Sequence, residues 1–173
     1  MPRSVNNLTV STGTLNLNGL SLTVNGNSTF SGGSVNNGTI ALNSVTGSTT
    51  FSGTTFGATI QGNSANVYFN GSVFNAAVRV TKTGASDNAC TGGSIFNSLL
   101  ELSLASTANW YIANNNYDQN NGDLLVNSTS TGNLRFGWGT GGATLAAGRT
   151  MAVGTGGFGT GRLFLLDLIQ SGA

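Results

Sequence analysis

The chain has no histidine, one cysteine, one proline and only eleven charged residues among 173. Each shortage excludes something. Zinc needs several Cys or His ligands, and Cys90 alone does not supply them. With no histidine to activate it, Cys90 reads as a small loop residue and not as a nucleophile, and no internal disulfide is possible. Six basic residues stand singly and the net charge is +1, which leaves no electrostatic footprint for nucleic acid or for an acidic membrane surface. No apolar run exceeds four residues, as at Leu163 to Leu166, far too short to cross a bilayer. Met1-Pro2-Arg3-Ser4 carries no apolar signal-peptide core. Acids do not recur in every coil, as a calcium-binding repeat requires.

What is present is Gly, Asn, Thr and Ser, slightly over half of the chain, with short alternating apolar stretches set among them. Leu20, Ile40, Ile60, Val78, Leu100, Leu124, Leu145 and Leu165 recur at steps of 20, 20, 18, 22, 24, 21 and 20 residues. A second apolar residue follows two positions later, as in Ile40/Leu42 and Val78/Val80, which is the alternation of a half-buried strand. A period near 20 built of strand and turn predicts an all-β, right-handed parallel β-helix (β-solenoid) of about eight coils. An antiparallel sandwich also spaces its strands regularly and is the weaker alternative. Residues 1–173 read as one segment of a longer rod, with 1–7 set aside as a linker or non-native lead.

Alignment on the recurring aliphatic places Phe56, Phe74 and Phe96 in one inward stack, and Asn37, Asn75, Asn97 and Asn121 in one position three residues before the anchor. Asn75, Asn97 and Asn121 are expected to form a hydrogen-bonded ladder. Arg79 and Glu101 follow their anchors directly and should pair on the outer surface; Tyr111 and Arg135 match in a second strand and should stack. At Asn120-Asn121-Gly122 the phenylalanine is missing, so that coil either packs loosely or turns Tyr117 inward. Bare solenoid ends present unpaired strand edges, which predicts end-to-end association or coverage by loops.

No catalytic, cofactor-binding or metal site emerges. Two G-x-G-x-x-G matches, Gly137–Gly142 and Gly154–Gly159, lack the helix that would aim at a pyrophosphate and read as coil corners. Asp118 and Asp123 are five apart, and neither lines up with Glu101, so they read as solvated loop acids. Thr39 and Thr59 share an outward slot that Ala77, Leu99 and Asp123 do not continue, a weak sign of ice binding.

The phrases Thr50-Phe51-Ser52-Gly53-Thr54-Thr55-Phe56-Gly57-Ala58, Val80-Thr81-Lys82-Thr83-Gly84, Gly92-Gly93-Ser94-Ile95-Phe96-Asn97 and Leu145-Ala146-Ala147-Gly148-Arg149-Thr150 together resemble the repeats of giant Bacteroidetes cell-surface adhesins of the SprB-like gliding-motility group. The resemblance runs from Leu8 to Leu165. It implies type IX secretion, an extracellular location at the outer membrane, and a structural or adhesive role in surface attachment and gliding. As partners it implies neighbouring repeats or end-to-end copies and surface polysaccharide, without nucleic acid or membrane insertion. A fragment of a carbohydrate-active β-helix lyase or hydrolase is the rival from another class, and an ice-binding solenoid is the third.

Overall fold

The computed structural model describes residues 3–171. Met1-Pro2 and Gly172-Ala173 lie outside the described residues. The molecule is all-β, with 22 strands and no helix among the described residues. Its strand pairings are parallel, from Arg3–Val5 on Leu22–Val24 to Ala143–Leu145 on Leu168–Gln170, which excludes the sandwich. The chain winds as a β-solenoid of about eight turns with a period of about 21 residues.

Each coil has three faces, and from the third coil on each face carries its own strand, where the apolar pattern marks at least two strands per coil. The first face stacks Leu8–Val10, Ser28–Phe30, Ser48–Phe51 and Asn66–Phe69, then Asn88–Ala89, Trp110–Ile112, Leu134–Phe136 and Leu163–Leu165. The second holds short strands, among them Thr55–Phe56, Val73–Phe74, Ile95–Phe96 and Asp118–Asn120. The third holds Thr59–Ser64, Val78–Lys82, Leu100–Leu104, Leu124–Ser128 and Met151–Phe158. Thr14–Val24 and Ser34–Asn43 each run unbroken across the corner between the second and third faces, so these two faces form one 14-stranded sheet.

Alternation sends every second side chain inward, and the interior is filled by rings. Phe56, Phe74 and Phe96 stack nearly parallel at 4.9 Å between neighbours. From the first face Phe30, Phe51 and Phe69 form a second stack at 5.4 and 5.5 Å. The two stacks meet edge to face, as at Phe51–Phe74 (82°) and Phe69–Phe96 (83°), the arrangement that the ring quadrupole favours.

The recurring aliphatics are a true column from Ile40 through Ile60, Val78 and Leu100 to Leu124. At both ends the constant step misplaces them. Leu22, not Leu20, lies against Ile40, and Leu20 is exposed opposite Gly38. Met151, not Leu145, lies against Leu124. Leu145 belongs to the second face beside Asn120, and Leu165 to the first face beside Phe136. Coil length is not constant: equivalent residues are 18 apart near the start, 22 and 24 in the middle and 27 near the end. Corners bulge into solvent, so they absorb extra residues without disturbing the stacked strands. Residues 3–5, set aside as linker by the sequence reading, form a paired strand.

Candidate functional surface

With a filled interior, the side chains open to an outside molecule are those of the outward columns, where one residue per coil repeats along the rod. The second face carries the asparagine column. Asn97 Nδ2 donates to Asn75 Oδ1 at 2.8 Å, and Asn121 Nδ2 to Asn97 Oδ1 at 2.8 Å. Asn37 stands apart from it, in a left-handed conformation (φ 56°), donating instead to Asn16 Oδ1. Arg79 and Glu101 are register partners on the third face, with Arg79 Nε 3.5 Å from Glu101 Oε2.

On the first face Tyr111 lies beside Arg135 and Arg135 beside Phe164. The Arg135 guanidinium is 5.5 Å from the Tyr111 ring centre, 4.4 Å from that of Trp138 and 4.6 Å from that of Phe164. The expected Tyr111–Arg135 contact is therefore one part of a larger cage. Trp138, which the sequence reading passed over, is its most exposed member, at the corner just after Leu134–Phe136. At the head of the same face the outward column is Thr9, Thr29 and Thr50, followed by Tyr68.

A buried polar column at the entry to the second face also escaped the sequence reading. Thr54 Oγ1 accepts from Gly32 N, Ser72 Oγ from Thr54 N, Ser94 Oγ from Gly71 N and Asp118 Oδ1 from Ser94 N. Each coil thus satisfies a corner amide of the coil before it. The readable signal was Gly-Thr or Gly-Ser just ahead of the Phe-bearing strand. Asp118 is therefore no solvated loop acid: it is buried, its Oδ2 has no hydrogen-bond partner, and loss of hydration pushes its carboxyl up to about 7.

Asn120 fills the slot below Phe96 with its Nδ2 on Thr144 O, while Tyr117 stays exposed, its hydroxyl bonded to Asp167. Tyr117 does not turn inward because Asn120 already occupies the core position. Cys90 is buried at a break in the first face, between Asn66–Phe69 and Asn88–Ala89. There Asn88 Oδ1 accepts from Val67 N, while Cys90 Sγ and Trp110 Nε1 donate to Val67 O. Three side chains replace a missing strand pairing, and burial pushes the thiol up to about 12.

Lys82 is also buried, its Nζ donating to Gly84 O at 2.6 Å, and desolvation lowers its pKa against an opposing influence from Asp87. Asp87, Asp123 and Asp167 lie at corners, Glu101 on the third face and Asp118 inside, and no hydrogen bond joins one acid to another among the described residues. The described residues contain no group of three or more Cys, Asp or Glu that could hold a metal. The Gly137–Gly142 match is a corner in contact with the neighbouring coil, where a Cβ on Gly141 would lie 2.3 Å from Ala113 O. Gly154 to Phe158 belong to the strand Met151–Phe158. No family model, curated protein or solved structure matches the chain.

Proposed function

We propose that this solenoid is a structural and adhesive segment of a cell-surface adhesin, presenting outward columns for surface attachment and serving no catalytic role. The observation that carries the reading is the division between inside and outside. The core is closed by two interlocking phenylalanine stacks, and the acids are dispersed over corners, face and interior instead of facing one another across a groove. Extracellular display and participation in gliding rest on the sequence resemblance alone.

The test is to coat beads with the purified chain and measure retention on polysaccharide gels under flow, assaying the same gels for released sugar. Retention without release is expected. Release of oligosaccharide that scales with protein would replace this reading with the carbohydrate-active one. The hydroxyl columns of the first coils, Thr9–Thr29–Thr50 and Ser21–Thr39–Thr59, favour ice binding as a second reading. Thermal hysteresis at millimolar protein would establish it.

A further inference from the structure

We infer that the cage on the first face formed by Tyr111, Arg135, Trp138 and Phe164 is a binding site for a uronate-bearing polysaccharide. A sugar ring lies on the exposed Trp138 face and its carboxylate meets the Arg135 guanidinium. The inference deepens the adhesive reading above and rests on it for its biological setting.

Arg135 is a cation without a counterion. Arg79 has Glu101, whereas Arg135 makes no ion pair or hydrogen bond to any described residue, and its buried Nε has no partner. Rings at 4.4, 4.6 and 5.5 Å hold the guanidinium in place. Such a group loses little freedom on binding, and its planar fork of N–H donors matches a carboxylate in two-point geometry. The charge therefore selects an anionic ligand.

Trp138 selects the rest of the ligand. It is 54% exposed although it packs on Arg135 and lies edge-on to Tyr111 at 5.9 Å. A flat, apolar, partly wet ring beside a fixed polar group is the surface onto which the C–H face of a pyranose can lie. Tyr111, Arg135 and Phe164 occupy three consecutive coils, about 4.8 Å apart in a parallel stack, a step comparable with one sugar residue of an extended chain. A linear polymer running along the rod would therefore stay in register with it.

The neighbouring acid does not cancel the site. Asp87 accepts from Asn109 N, Asn109 Nδ2 and Tyr111 Oη, so its oxygens are already hydrogen-bonded away from Arg135 and it steadies Tyr111 from the far side. It also disfavours a second carboxylate there, which places the acidic sugar at the Arg135 end. Earlier in the same column Thr9, Thr29, Thr50 and Tyr68 offer no cation, so the site is confined to the later coils.

The test titrates the whole chain with hexagalacturonate and with cellohexaose of equal length, reading tryptophan emission and binding heat. Hexagalacturonate should bind with weakening as salt rises, and cellohexaose far less. Arg135→Gln should weaken binding by about tenfold or more, the loss of one charge-assisted contact, and Trp138→Ala by about tenfold, the loss of the apolar face under the sugar ring. Trp110, buried in the core, reports in both variants that the fold persists, and Trp138→Ala alters an exposed side chain only. Equal binding of the neutral hexamer, no binding of either, or unchanged affinity in folded variants would overturn the site. Bead retention separates the two levels. Retention on an acidic gel that both variants keep removes this site but not the adhesive reading. Hexamer binding as expected with beads retained nowhere keeps the site and removes the adhesive reading.

Discussion

Asp118, Lys82 and Cys90 are ionisable side chains drawn inside the solenoid, and burial shifts each toward its neutral form. For Asp118 the folded carboxyl titrates at about 7 against an ordinary 3.8. At low pH both folded and unfolded chains hold the proton. As pH rises between those values the unfolded chain releases it first, so the stability that protonation provides is lost progressively up to about 7. Melting followed by circular dichroism should therefore show lower stability at pH 8 than at pH 5, by a few kcal/mol at most. Asp118→Asn keeps an oxygen for Ser94 N and should flatten that slope; parallel profiles for both proteins would assign the slope elsewhere. Lys82 lies in register with Ser64 and Leu104, and no carboxylate is hydrogen-bonded to it. Replacing a buried cation by an apolar chain of similar length favours the fold, so Lys82→Met should raise stability at neutral pH by about 1 kcal/mol in chemical denaturation. A loss of that size would mean that the bond to Gly84 O outweighs the desolvation.

Among the elements, the two ladders of the second face differ in what surrounds them. Phe74 contacts Phe51, Phe56, Phe69 and Phe96, so Phe74→Ala opens a cavity where both stacks meet and should cost about 3–5 kcal/mol. Asn97 is exposed and bridges Asn75 and Asn121, where water competes for the same groups. Asn97→Ala should cost no more than about 1 kcal/mol. Equilibrium unfolding of the two variants side by side checks the contrast; equal losses would mean that the asparagine column carries more of the fold than its exposure allows. The Phe stack and asparagine column were legible in the sequence because both repeat at one offset from the anchor. The break at Val67 was not, because Asn88, Cys90 and Trp110 are scattered in sequence and meet only when coils stack. Trp138 was missed for a related reason: it sits at a corner, outside any alternating strand.

At the scale of the whole rod, repeated outward columns give a long surface, and each end coil leaves one edge of its strands unpaired by the described residues: Met151–Phe158, Leu163–Leu165 and Leu168–Gln170 at the later end. Ser171 N bonds Leu145 O, so the alternate amide of Gln170 faces the open edge of Leu168–Gln170. A second copy stacking there would continue the spiral. Sedimentation velocity over a concentration series should show mass rising toward dimers and longer rods. Gln170→Pro removes the edge donor and should reduce that association while leaving melting within about 0.5 kcal/mol of the parent. A chain that stays monomeric at millimolar concentration would rule out end-to-end stacking.

The sequence by itself determined that the molecule is a parallel spiral, because alternation at period two inside a period near 20 leaves the chain few other ways to bury its apolar residues. It also determined the central register from Ile40 to Leu124, where the recurring aliphatic keeps one strand position although the step varies from 18 to 24 residues. Only the tertiary structure decided the register at the ends, since corners of different length shift the count without altering the strands. The same holds for which polar residues are inside. Asp118 and Asp123 look alike in sequence, yet one faces the core and the other a corner, and stacking alone separates their chemistry.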